Sequence, residues 1–142
     1  MTDTVVPTGL IGAYRGTDYR VFHPDGHFSL RVGQYSPEAA KLLAQGCWTN
    51  AVFITADNPF SEMLSEAENQ QRRRELLSCL KAVSPLVFEG EGRGEDPVWP
   101  PERSFFALGI DHKRACRIGE QFGQNAIVEL GPDAIPQLIL LR

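Results

Sequence analysis

The sequence has no apolar run near the roughly 20 residues that a membrane-spanning helix needs, which excludes a helical span. Its first nine residues, Met1 to Gly9, carry neither a basic cluster nor an apolar stretch, so no signal peptide is expected. Cysteine is scarce. Cys47, Cys79 and Cys116 are odd in number, far apart and never spaced C-x-x-C, which argues against a zinc knuckle or a disulfide framework. Cys79 and Cys116 fall within helical patterns and are expected to be small core residues. Histidine is equally thin. His23 and His27 bracket a turn with Asp25 but lack a third strong ligand, so they read as hairpin residues, and neither a metal nor a cofactor is expected. Basic blocks are missing too: 14 Lys and Arg face 18 Asp and Glu, a formal net charge of -4, which argues against nucleic acid as a partner. The missing apolar span and signal peptide together predict a cytoplasmic, unprocessed protein.

What is present suits one globular domain. The 142 residues are 42% hydrophobic and 23% charged, enough to bury a core, with residues 1–9 expected as a flexible N-terminus. A short helix or turn is expected around Leu10 to Tyr14. "YRVFHPDGHFSLRVG" then predicts a hairpin turning at Pro24-Asp25-Gly26. In "YSPEAAKLLAQG", Ser36 is a good N-cap, Pro37 suits the first helical position and Gly46 a stop. "AVFIT" is too short and too apolar for a surface helix and reads as a buried strand. Ser65-Glu66-Ala67-Glu68 is a capping-box pattern opening a helix that runs to about Val83, before Ser84-Pro85. The first half of that helix, "EAENQQRRRE", has little to bury and predicts a solvated face.

Strands are then expected near Leu86 to Glu91 and Ser104 to Ile110, joined by a long Gly/Pro loop. Asp111 caps a helix to Phe122, "NAIVEL" returns as a strand, and "IPQLILL" closes as an edge strand because Pro136 cannot donate to a ladder. The expected fold is α/β or α+β: a mixed sheet of five to seven strands with βαβ units and three main helices. "RVGQYSPEAAKLLAQGCWTNAVFI" and "ALGIDHKRACRIGEQFGQNAIVEL" share a strand–helix–strand order, which is either a pseudo-repeat or ordinary α/β grammar.

Topology locates a candidate site. If the strands around "AVFIT" and Leu86–Glu91 run parallel, Asn58 and Ser61 follow one strand end and Gly92-Arg93 follow the other, at the same edge. The returning strand begins there with Glu102, and a last crossover brings Gln124 and Asn125 to it as well. Loop-rich strand ends are where α/β sheets tend to bind ligands. The candidate binding residues are therefore Asn58, Ser61, Arg93, Gln124 and Asn125, with Glu91 and Glu102 as candidate acid–base carboxylates. Trp99 is placed to wall such a cleft or to pin the proline-rich loop. "GEGRGEDP" lacks the spacing of a phosphate loop and reads as a hairpin loop.

"ITADNPFSEMLSEAEN", "GEGR" before "WPPERS", and "FGQNAI" resemble a small bacterial domain family of unknown function, from about Tyr14 to the last strand. The resemblance implies a small α/β domain and a bacterial source; it implies no activity or catalytic residue. From the residues themselves two functions are open. The leading one is a non-enzymatic module binding a small molecule or protein, because no nucleophile–base pair or metal set stands out. The alternative is a hydrolase or transferase acting on a small anionic substrate at the Asn58/Arg93/Glu102 end of the sheet, with Arg93 holding the anionic group and Glu102 or Glu91 as acid–base. The polar helix predicts a monomer or weak dimer.

Overall fold

The computed structural model describes residues 4–142. Of the segment expected to be flexible, residues 1–3 lie outside the described residues, Val6 is buried, and Thr8 opens helix α1 (Thr8–Arg15). The predicted caps set the other helix starts. The Ser36 side chain accepts from the Ala39 amide at 3.1 Å ahead of α2 (Pro37–Gln45). Ser65 and Glu68 form a reciprocal capping box before α3 (Glu66–Val83). Asp111 accepts from the Arg114 amide at 2.8 Å and opens α4 (His112–Gln121). Among the described residues no helix is long and apolar enough to cross a membrane.

Among the described residues one sheet takes seven strands: β1 (Asp18–Val21), β2 (Phe28–Leu30), β3 (Ala51–Thr55), β4 (Leu86–Arg93), β5 (Glu102–Leu108), β6 (Ala126–Leu130) and β7 (Gln137–Leu140). Their order is β2-β1-β4-β5-β3-β6-β7, and every neighbouring pair is antiparallel. The fold is thus α+β, and the mixed sheet expected from sequence is corrected to an antiparallel one. The βαβ units exist in split form. β3 and β4 run the same way across α3, but β5 folds back and docks between them; β5 and β6 run the same way across α4 with β3 between. A β-α-β-β-α-β chain in this order is the ferredoxin-like arrangement. The β1–β2 hairpin extends it at one edge, and β7 forms the other edge, as Pro136 predicts.

Strand alternation sorts the core into two faces. Val52, Ile54, Phe105 and Ala107 meet Leu76 and Leu80 of α3 and Ala115 and Ile118 of α4 on one face. Phe53, Phe106, Leu108 and Val128 meet Ala39, Leu42 and Leu43 of α2 on the other. The two look-alike sequence segments are therefore not equivalent. α2 and α4 lie on opposite faces, and β2 is separated from β3 by three strands.

Helix α2 covers only part of its face. The first half of α3 also departs from the solvated stripe expected of it: Asn69 is buried, and Arg72 and Arg73 reach back over the end of β3.

Candidate functional site

Beyond β3 the chain enters Asp57-Asn58-Pro59-Phe60-Ser61, where Asn58, Phe60 and Ser61 have φ of 47, 57 and 58°. Asparagine tolerates this left-handed region, but phenylalanine and serine adopt it only when their surroundings impose it. Those surroundings are specific. The Asn58 amide donates to Asn69 Oδ1 at 3.0 Å, and Asn69 Nδ2 returns a bond to Asn58 Oδ1 at 2.9 Å. Arg73 grips both Asp57 carboxylate oxygens, at 2.7 and 2.6 Å, and Arg72 donates to the carbonyls of Ala56 and Phe122. The Phe60 amide donates to the Gly123 carbonyl at 2.8 Å. Gly123 is required twice: its φ is 67°, and a Cβ there would lie 2.9 Å from Pro59 Cβ.

Asn58 Oδ1 takes two donors, from Asn69 and from the Leu64 amide, so its Nδ2 must face the remaining partner, Glu102 Oε2, at 2.9 Å. Glu102 sits on the sheet face that α2 leaves bare, opposite Gly92 of β4. Burial pushes its carboxyl up to about 7. Hydrogen bonds from Asn58 and Trp99 oppose the rise, and the nearby Asp57 charge adds to it. A cavity of about 540 Å³ opens in front of it. Its walls include Phe53, Val128 and Leu138 from the sheet, α1 as far as Tyr14, and Trp99 from the β4–β5 loop.

Helix α1 has no buried side chain and is held over the cavity by polar anchors. Tyr14 Oη meets Ser61 Oγ at 2.9 Å, and Asn125 Nδ2 donates to both hydroxyls at 3.1 Å. Tyr19 Oη donates to the Tyr14 carbonyl at 2.6 Å, and burial raises its pKa well above the ordinary phenol range, so it remains a neutral donor. Gln124 donates to the Asp57 carbonyl at 3.2 Å.

Five of the seven residues singled out from sequence thus line this one cavity: Asn58, Ser61, Glu102, Gln124 and Asn125. Glu91 and Arg93 do not. β4 continues two residues past its expected end, through Arg93, so alternation turns Gly90 and Gly92 toward the cavity face and Glu91 and Arg93 away from it. There they pair with each other at 3.3 Å, with the Arg93 side chain 61% exposed. The two glycines of "GEGR" differ: a Cβ on Gly92 would meet nothing closer than 3.7 Å, whereas one on Gly90 would lie 2.3 Å from the Arg20 carbonyl oxygen, so Gly90 serves close strand packing. Sequence reasoning missed Tyr14, Asn69, Arg72 and Arg73. Only the polar Asn69 on the inward side of a helix gave a usable signal, as an Asn in mid-helix needs a partner.

Residues 54–127 match a family described as protein of unknown function (DUF3293). The matched segment runs from β3 to β6 and contains the strained turn, Glu102, Gly123, Gln124 and Asn125. No curated protein and no solved structure matches the chain. The chain belongs to the DUF3293 family.

Proposed function

We propose that this chain is a small-molecule-binding domain whose cavity takes a neutral or amine-bearing ligand with an apolar body, met at its polar end by Glu102. The observation that carries this reading is the Glu102 carboxyl, half-buried in the cavity wall and pushed up to about 7 by desolvation. Near neutral pH such a group can donate a hydrogen bond to a ligand or accept one from it. A volume of about 540 Å³ suits a small ligand, for which sites of roughly 300–1,000 Å³ are usual. Phe53, Val128 and Leu138 support an apolar body. The charged residues among the described lining are Glu95, Asp96 and Glu102, all acidic, which disfavours an anion. With Arg93 facing away, the anionic substrate expected from sequence loses its clamp.

A second reading, acid–base catalysis at Glu102, is favoured by the same carboxyl together with the strained turn beside it. Glu91 lies on the other face of β4, so the Glu91–Glu102 pair expected from sequence is not available to that reading. All three cysteines are free, which supports the cytoplasmic setting, and a bacterial source follows the sequence resemblance. The polar half of α3 is engaged internally, which supports a monomer or weak dimer; a stable dimer in light scattering at sub-micromolar protein would overturn that.

The test is a thermal-shift panel at pH 7 of amines, nucleosides, amino acids and sugar phosphates, on the wild type and Glu102→Gln. A ligand at 100 times its dissociation constant adds about 2.7 kcal/mol, well within detection. Shifts from amines or neutral compounds that shrink in Glu102→Gln are expected. Shifts from sugar phosphates alone, or hits indifferent to Glu102→Gln, would sink the assignment.

A further inference from the structure

At the opposite end of α4 from the cavity loop, three metal-ligating side chains of three different kinds converge. His112 and Cys116 stand four residues apart on α4, so they share one helix face. Glu129 rises to meet them from β6, on the sheet face that α4 covers. His112 Nδ1 and Glu129 Oε2 are 2.6 Å apart, and Cys116 Sγ lies 3.7 Å from His112 Nε2 and 3.9 Å from Nδ1. One ligand atom from each residue falls within 4.8 Å of the other two. We propose that His112, Cys116 and Glu129 form a binding site for a divalent cation of the zinc class, separate from the Glu102 cavity.

The ligand types select the ion. A thiolate, an imidazole and a carboxylate suit zinc, whereas calcium and magnesium take oxygen ligands. The distances fit as well. Tetrahedral zinc, with Zn–S of about 2.3 Å and Zn–N of about 2.0 Å, needs sulfur and nitrogen roughly 3.5 Å apart. The observed separations exceed that by a few tenths of an ångström. The His112–Glu129 hydrogen bond must open to about 3.3 Å to admit the ion. His112 can supply that movement, because its side chain is 64% exposed and free to turn, while Glu129 is only 14% exposed and fixed in the sheet. Charge balances too: one thiolate and one carboxylate neutralise a divalent cation. Three protein ligands leave a fourth position open toward a shallow cavity lined by Gln137, Asp133 and Gly131, which suits water or an exogenous ligand.

Each part of this site has an ordinary alternative role. His112 and Glu129 could form a surface ion pair, and Cys116 could fill a gap beneath α4. Metal titration separates the two. Co²⁺ is added to the full chain, and absorption is followed in the near-ultraviolet for thiolate-to-cobalt charge transfer. One Co²⁺ per chain with that band is expected, and Zn²⁺ should displace it and bleach the band, because the d¹⁰ ion loses no ligand-field stabilisation on entering a tetrahedral thiolate-containing site. Cys116→Ser should abolish the band. His112→Ala and Glu129→Gln should weaken binding by at least about tenfold, and His112→Ala, at an exposed position, should leave the far-ultraviolet circular dichroism unchanged. Absence of the band in the wild type would overturn the site. So would a band that survives Cys116→Ser, since the thiolate would then come from Cys47 or Cys79. Equal affinity in His112→Ala would remove His112 from the ligand set and overturn the three-residue site, and failure of Zn²⁺ to displace Co²⁺ would remove the zinc assignment.

Discussion

Two carboxylates stand on the two sides of the strained turn after β3, and they have opposite fates. Asp57, on the α3 side, is 2% exposed and held by two short bonds to the Arg73 guanidinium. Glu102, on the cavity side, is half-buried and receives only neutral donors, Asn58 and Trp99, and its carboxyl rises to about 7. Asp57 is locked by a bidentate, charge-assisted pair, whereas desolvation of Glu102 is opposed only by neutral hydrogen bonds at its carboxyl and pushes it up. The Asp57 side is therefore sealed and structural. The Glu102 side keeps a proton that can be exchanged and a cavity in which to exchange it.

Removing the cation should break the Asp57 side most severely. Arg73→Met would leave a carboxylate buried without its charge partner, a loss of about 3–5 kcal/mol. Denaturant unfolding should show it as a lowered midpoint, and adding Asp57→Asn should recover part of the stability. If the single variant costs no more than a surface ion pair, about 0–1 kcal/mol, then the bidentate contact is not what holds the turn.

Glu102 makes the opposite prediction, and its sign follows from linkage. Its pKa is near 4.5 unfolded and about 7 folded, so the native state binds the proton more tightly. The stability associated with that proton is fully present below pH 4.5 and is lost as pH rises through about 7. Glu102→Gln keeps an acceptor for Asn58 but cannot ionise. It should be more stable than the wild type at pH 8, by on the order of 3 kcal/mol, with the difference shrinking toward zero at pH 4.5. Urea melts of both proteins at the two pH values measure this. A difference that does not change with pH would mean that Glu102 titrates normally and that the cavity side is as ordinary as any surface.

Much of this contrast was legible in the sequence, and the missing part has identifiable causes. Ser36, Ser65-Glu68 and Asp111 announced three helices because capping chemistry is local. Asn58, Ser61, Glu102, Gln124 and Asn125 could be placed at one sheet end because strand direction follows from the order of strands and crossovers. Pairing was not legible: β5 inserts between β3 and β4 through contacts distant in sequence, which turned the expected mixed sheet into an antiparallel one. Arg93 was misplaced because a boundary error of two residues leaves the end of a strand, and hence its facing, unspecified. Arg72 and Arg73 resembled a solvated run because charge patterning cannot reveal that a buried Asp57 lies across from them. α1 was the least visible part of the site, as it is fixed by Tyr14, Ser61 and Asn125 rather than by an apolar face.

The hinge between the two sides can be strained directly. Gly123→Ala would place a Cβ 2.9 Å from Pro59 in a residue with φ of 67°. The left-handed conformation alone costs roughly 1–2 kcal/mol for a residue with a Cβ, and the contact adds to it. Because the Gly123 carbonyl accepts from the Phe60 amide, the loss should also loosen the turn that carries Ser61, seen as faster hydrogen exchange at Phe60. A stability loss with unchanged exchange there would separate Gly123 from the turn.

The smallest stability effect carries the sharpest test of the cavity. Gly92→Val puts a branched side chain on the cavity face of β4 opposite Glu102, where a Cβ has van der Waals contact with Thr17 and Tyr19 and no clash. Valine suits a strand better than glycine, so stability should stay the same or rise by up to about 1 kcal/mol. The Asp57 side, across the turn, has no reason to respond. Ligand binding should fall sharply, because the added methyls occupy space the ligand needs while Glu102, Asn58 and Asn125 all remain. A variant that melts like the wild type and no longer shifts with any compound from the panel would tie the site to this cavity. One that binds as before would move the ligand elsewhere and leave Glu102 a half-buried acid with no occupant to serve.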